Sequence, residues 1–79
     1  FPNPFNPETT IIFGLPQRDQ ITLKVFDILG REVRTLLDEV KDEGTYRIRF
    51  NSIGLASGIY IYRISTNNSS ISRKMIILH

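Results

Sequence analysis

The sequence has no cysteine and no tryptophan, one methionine, and one histidine, His79, its last residue. Without cysteine there is neither a disulfide nor a thiolate metal site, and one histidine cannot assemble a zinc set. Small extracellular domains often use disulfides, yet lacking them does not exclude export. Nucleophilic catalysis needs a base held beside the nucleophile, and a chain end is a poor place to hold one. The glycines come singly, so no phosphate-cradling loop is present. The longest apolar run, Met75 to Leu78, falls far short of the roughly 20 residues of a membrane-spanning helix. A net charge of +2 does not supply the dense basic stripe of a nucleic-acid binder. No metal, cofactor or nucleic acid is therefore expected, and the chain does not read as an enzyme.

What is present is a single small domain of 79 residues, 41% hydrophobic and 23% charged, which is ordinary globular composition. A domain of this size buries only about 60–65% of its unfolded surface, so its core is marginal. The organising stretch is Gly58-Ile59-Tyr60-Ile61-Tyr62-Arg63-Ile64-Ser65, rich in β-branched and aromatic residues that suit a pleated surface. Tyr60, Tyr62 and Ile64 share one face, and Ile59, Ile61 and Arg63 the other. Both faces are largely apolar, which predicts a central strand covered on one side and shielded for much of the other. The tyrosine hydroxyls need partners, predicted in loops at the edge of the core. Gly58 supplies a positive-φ turn or a close backbone approach.

Alternation elsewhere predicts further strands. Thr9–Leu15 places Ile11, Phe13 and Leu15 inward, and Gln20–Ile28 does the same with Ile21, Leu23 and Val25. Asp27 to Arg31 reads as a tight hairpin with Gly30 at a left-handed position. Glu32–Leu37 returns as a strand, although its 3–4 spacing also admits a short helix. Asp38–Gly44 reads as a solvated acidic loop, without the spacing of a calcium motif. Thr45–Phe50 turns Tyr46, Ile48 and Phe50 inward. Residues 51–58 form a connection with Ile53 and Leu55 tucked under the sandwich. Ile71–Leu78 closes the chain, wet at its start and buried at its end. The two glycosylation-type triplets at Asn67 and Asn68 read more simply as a polar hairpin turn. Arg47, Arg49 and Arg63 offer a basic strip or, more plainly, blocking of edge pairing.

Six or seven short antiparallel strands separated by turn signals predict an all-β sandwich over residues 9–79. Residues 1–8 carry three prolines and cannot be a helix or a central strand. They read as a stiff arm, with Phe5 as a plug for the end of the core. The chain opens on Phe1 without an initiator methionine or signal-like stretch, so it is expected to be cut from a longer polypeptide.

Four motifs in order resemble one family. Pro2-Asn3-Pro4-Phe5-Asn6-Pro7-Glu8-Thr9-Thr10-Ile11 is similar to the opening of the type A C-terminal sorting domain of the type IX secretion system. Val25-Phe26-Asp27-Ile28-Leu29-Gly30-Arg31-Glu32-Val33 resembles its hydrophobic-Asp-x-x-Gly-Arg-x-Val hairpin. Leu55-Ala56-Ser57-Gly58-Ile59-Tyr60 resembles its Leu-x-Ser-Gly-x-Tyr strand entry, and Ser72-Arg73-Lys74-Met75-Ile76-Ile77-Leu78 its closing basic-then-apolar strand. The family commonly ends on Lys or Arg, where this chain has His79.

The resemblance implies an immunoglobulin-like sandwich at the end of a cargo protein of a Gram-negative bacterium. It implies reading in the periplasm by an outer-membrane translocon, removal by a sortase-like peptidase in many members, and delivery to the cell surface or medium. Carried over by motif, the expected recognition residues are Pro2, Asn3, Pro4, Gly58, Tyr60, Arg73 and Lys74. The alternative is an accessory adhesion or carbohydrate-binding module of an extracellular enzyme. Against it, the chain has no tryptophan and its tyrosines alternate inward.

Overall fold

The computed structural model describes residues 7–78. Residues 1–6 of the expected arm, with Phe5, Pro2, Asn3 and Pro4, and the terminal His79 lie outside them, whereas Glu8, expected in the arm, opens the first strand and pairs with Asn51. Six strands follow in order: β1 Glu8–Leu15, β2 Asp19–Asp27, β3 Glu32–Lys41, β4 Gly44–Asn51, β5 Gly58–Thr66 and β6 Ser70–Ile77. All pairings are antiparallel. They form a two-stranded sheet, β1-β4, and a four-stranded sheet, β3-β2-β5-β6. A constant-type immunoglobulin domain instead divides its strands four and three.

The core is made from both sheets. Ile11 of β1 and Phe50 of β4 meet Leu23 and Val25 of β2, Tyr60 of β5 and Ile77 of β6. Phe50, Ile21, Leu23 and Val25 are fully buried, each worth about 1.5–3 kcal/mol relative to exposure. Alternation delivers these side chains, because residues two apart along a strand share a face. On the small sheet Phe13 stacks on Tyr46 with centroids 5.7 Å apart, and Lys41 Nζ lies 4.9 Å from the Tyr46 centroid.

The β2–β3 hairpin is held by Asp27. Its Oδ1 accepts the backbone N–H groups of Leu29 and Arg31, both at 2.9 Å, and its Oδ2 accepts Arg31 Nε at 2.8 Å. Gly30 donates its N–H to the Asp27 carbonyl at 3.0 Å and has φ +83°. An added Cβ there would meet nothing within 4 Å, so any cost of substitution is backbone strain. Gly30→Val is expected to cost roughly 1–3 kcal/mol, read from urea unfolding; an unchanged midpoint would mean that the turn relaxes to another type.

The Arg31 backbone bond, then the Arg31 side chain and the Leu29 amide, hold the Asp27 carboxyl below the usual carboxylate range. Lys24 and then Thr35 lower Glu32 likewise. A depressed folded-state pKa gives stability that is present above the unfolded value and lost as pH falls through the folded one. Stability should therefore hold from neutrality down to the ordinary carboxylate range and fall below it. The gap between wild type and Asp27→Ala should close over the same acid interval; a gap independent of pH would remove Asp27 ionisation as the cause.

Three expectations are corrected. Asp38–Lys41 is strand, not loop, and pairs with Asp19–Thr22; only Asp42 and Glu43 connect β3 to β4. Most of the charged groups there have partners: Gln20 Nε2 donates to Asp38 at 2.8 Å, Lys41 pairs with Glu39 at 3.0 Å, and Arg18 pairs with Asp42. Ile53 is exposed rather than tucked away. Ser52 takes the inward place and donates its hydroxyl to the Pro7 carbonyl at 3.1 Å, while Asn51 Oδ1 accepts the Ile53 N–H at 2.8 Å. Leu55 does pack against the core. Finally, the outer face of β5 is open, with Ile59 and Ile61 exposed, because among the described residues no layer covers that side of the large sheet.

Candidate functional site

Gly58 and Tyr60 open β5, and Arg73 and Lys74 lie in β6 beside it. The register pairs Gly58 with Ile77, Tyr60 with Met75, Ile61 with Lys74 and Tyr62 with Arg73. Arg73 is thus four residues along β6 from the Gly58 partner, about 13 Å at strand rise. Successive strand side chains alternate, so Arg73 and Lys74 project from opposite faces. The four described members of the carried-over set, Gly58, Tyr60, Arg73 and Lys74, therefore do not share one face or one pocket, and Pro2, Asn3 and Pro4 lie outside the described residues.

Their environments differ as much as their positions. Tyr60 is buried and donates its hydroxyl to the Ala56 carbonyl at 2.7 Å, the loop partner that its inward direction required. Gly58 has φ +157°, and an added Cβ would meet nothing within 4 Å. It opens the strand without serving a close approach. Arg73 and Lys74 are exposed. Arg73 donates to the Ser72 carbonyl at 3.5 Å and makes no ion pair among the described residues.

The basic strip does not form. Arg47 and Arg49 belong to the small sheet and Arg63 to the large one. Arg49 pairs with Glu8 at 2.9 Å, and Arg63 lies over the Phe26 ring at 4.9 Å and bonds Ser72 at 3.1 Å. The Asn67–Ser69 segment is a capped turn: Thr66 N–H donates to the Ser69 carbonyl at 2.8 Å, and Asn67 Nδ2 to Asp19 at 2.8 Å. Among the described residues no three acids or histidines gather to hold a metal, and no aromatic ring stands exposed as a sugar platform.

One feature escaped the sequence. A cleft of about 320 Å³ opens between β1 and the β5–β6 half of the large sheet, with Tyr62, Ile64, Ile71 and Arg73 on its floor and rim. Its signal was distributed over four strands, β1, β2, β5 and β6, whose adjacency no local pattern reveals.

The described residues form a small all-β domain of two antiparallel sheets that share one apolar core, with exposed basic groups on the last strand. The chain belongs to the family of secretion system C-terminal sorting domains, which it matches over residues 1–78. It is a C-terminal sorting signal for type IX secretion, the tail of a cargo protein, and such domains are generally non-catalytic. The carbohydrate-binding reading is not favoured. Neither a curated protein nor a solved structure matches the chain.

Proposed function

We propose that the domain is a folded address read in the periplasm of a Gram-negative bacterium by the outer-membrane translocon of the type IX system. A sortase-like peptidase then removes it from the N-terminal cargo. In this reading residues 1–6 are an arm that joins cargo to tag, and the tag begins where Pro7 and Glu8 enter the β1–β4 ladder. The observation that supports contact at β6 is the pair Arg73 and Lys74, both exposed, with Arg73 outside any ion pair among the described residues. Pro2, Asn3 and Pro4 are proposed as further contacts by motif. Gly58 and Tyr60 contribute by seating β5 beside β6.

The test fuses residues 1–79 to the C-terminus of a periplasm-targeted reporter. Export to the surface or medium is expected only in a host with a functional type IX translocon. The double change Arg73→Ser with Lys74→Ser should alter stability by no more than about 0.5 kcal/mol per site and leave a folded reporter in the periplasm. Normal export of the double variant would move recognition off these two side chains. An intact fusion retained in a competent host would overturn the proposed route.

A further inference from the structure

The small sheet is open along β1. One edge of β1 pairs with β4, and among the described residues no strand pairs with the other. The Ser52 N–H donates to the Pro7 carbonyl at 2.9 Å, which makes 7 and 52 a hydrogen-bonded pair continuing the β1–β4 register. Antiparallel ladders alternate. Thr9, Ile11, Phe13 and Leu15 therefore turn their N–H and C=O groups toward β4, and Thr10, Ile12 and Gly14 turn theirs toward the open side.

The other three edges carry devices that discourage pairing. β3 has two register irregularities against β2 and carries Glu32, Asp38 and Glu39. β4 carries Arg47 and Arg49, and β6 carries Arg73 and Lys74. From Thr9 to Leu15, β1 has no charge and no proline, and its register against β4 is continuous. The open edge also faces the cleft, whose floor is apolar at Tyr62, Ile64 and Ile71 and whose rim carries Asp19, Asn68 and Arg73; among the described residues nothing covers Ile71, which is 50% exposed although it lies on the inner face of β6.

We propose that this edge of β1 accepts one extended strand of an export-machinery polypeptide, which becomes the third strand of the small sheet. The proposal rests on the sorting function stated above. Backbone bonds to Thr10, Ile12 and Gly14 supply the pairing, and alternate apolar side chains of the incoming strand fill the cleft over Tyr62, Ile64 and Ile71. An acidic residue on that strand faces Arg73, which offers the cleft a guanidinium without a carboxylate partner among the described residues. A second copy of this chain fits less well. Ile71 and Arg73 of β6 line the cleft beside β1, so antiparallel β1–β1 pairing at about 4.8 Å would bring a second large sheet into the same space. A single strand brings no second layer.

Two measurements test this. In the free chain, amide hydrogen exchange should be fast at Thr10, Ile12 and Gly14 and slow at Ile11 and Phe13. Slow exchange at all five in a monomer would show the edge already occupied and overturn the proposal. In the reporter fusion, Thr10→Pro removes only an outward donor, a change that edge strands tolerate. Its melting temperature should stay close to wild type while export falls on the order of tenfold, the equivalent of about 1.4 kcal/mol. Thr10→Val keeps every backbone group and should export normally. Normal export of a folded Thr10→Pro fusion, with wild type also exported, overturns the edge proposal alone. Failure of wild type to export overturns the sorting route beneath it. A concentration-dependent dimer that Thr10→Pro dissolves would assign the edge to a second copy instead.

Discussion

Tyr60→Ala is expected to lower the unfolding free energy by about 3–5 kcal/mol, the range for large aromatic truncations in cores. Tyr60 is 7% exposed and belongs to the cluster that joins the two sheets through Ile11, Phe50, Leu23, Val25 and Ile77. Its ring sits where β5 passes between β2 and β6, so the cavity left by truncation would open on three elements at once. At 0.05–0.15 kcal/mol per residue a domain this size holds roughly 4–12 kcal/mol in total. The loss is thus a large share of the whole stability, and the unfolding midpoint of the variant should fall steeply. Tyr60→Phe keeps the ring and loses only the hydroxyl bond to Ala56, for which about 1 kcal/mol is expected. Urea unfolding of both variants checks the pair. Equal losses would mean that the hydroxyl, not the ring, carries the contribution.

Removal of residues 73–79 is expected to abolish both cooperative folding and export. The deletion takes Ile77, 6% exposed, and Met75, packed against the core. Ile77 alone accounts for about 2–5 kcal/mol by analogy with large-to-small core changes. It also strips β5 of its β6 partner from Gly58 to Tyr62, leaving an exposed edge in an apolar strand, which invites aggregation. The expected result is loss of the folded baseline in circular dichroism together with loss of surface reporter. The Arg73 and Lys74 double serine variant keeps the same strand and isolates the contribution of the basic groups. A truncated domain that still melts cooperatively would show that the three remaining strands of the large sheet suffice.

Much of this could be read along the chain because strand alternation is local. The inward residues of β1, β2 and β4, together with Tyr60 and Ile77, follow from period-2 patterning, whereas Ile71 shares the face of Ile77 and is half exposed, and the expected burial of the strand's end fails at Ile76 and Leu78, which are exposed. The Gly30 turn is local as well, since Asp27, Gly30 and Arg31 satisfy one another within five residues. The family was legible for a related reason: its motifs are short segments in fixed order, needing no knowledge of what they touch.

Tertiary structure decided what depends on partners distant in sequence. Asp38–Lys41 looks like loop by charge, yet it is strand because Asp19–Thr22 lies beside it. Arg47 and Arg63 look alike in sequence, yet the division of strands into two sheets places them in different layers. That same division determined which edges remain unpaired. Strand faces and family membership were legible along the chain, whereas the neighbours, and with them the edge of β1 that is unpaired among the described residues, came from packing. Side-chain direction is set by the pleat of one strand, whereas pairing satisfies backbone groups between strands and has no signature within any single one.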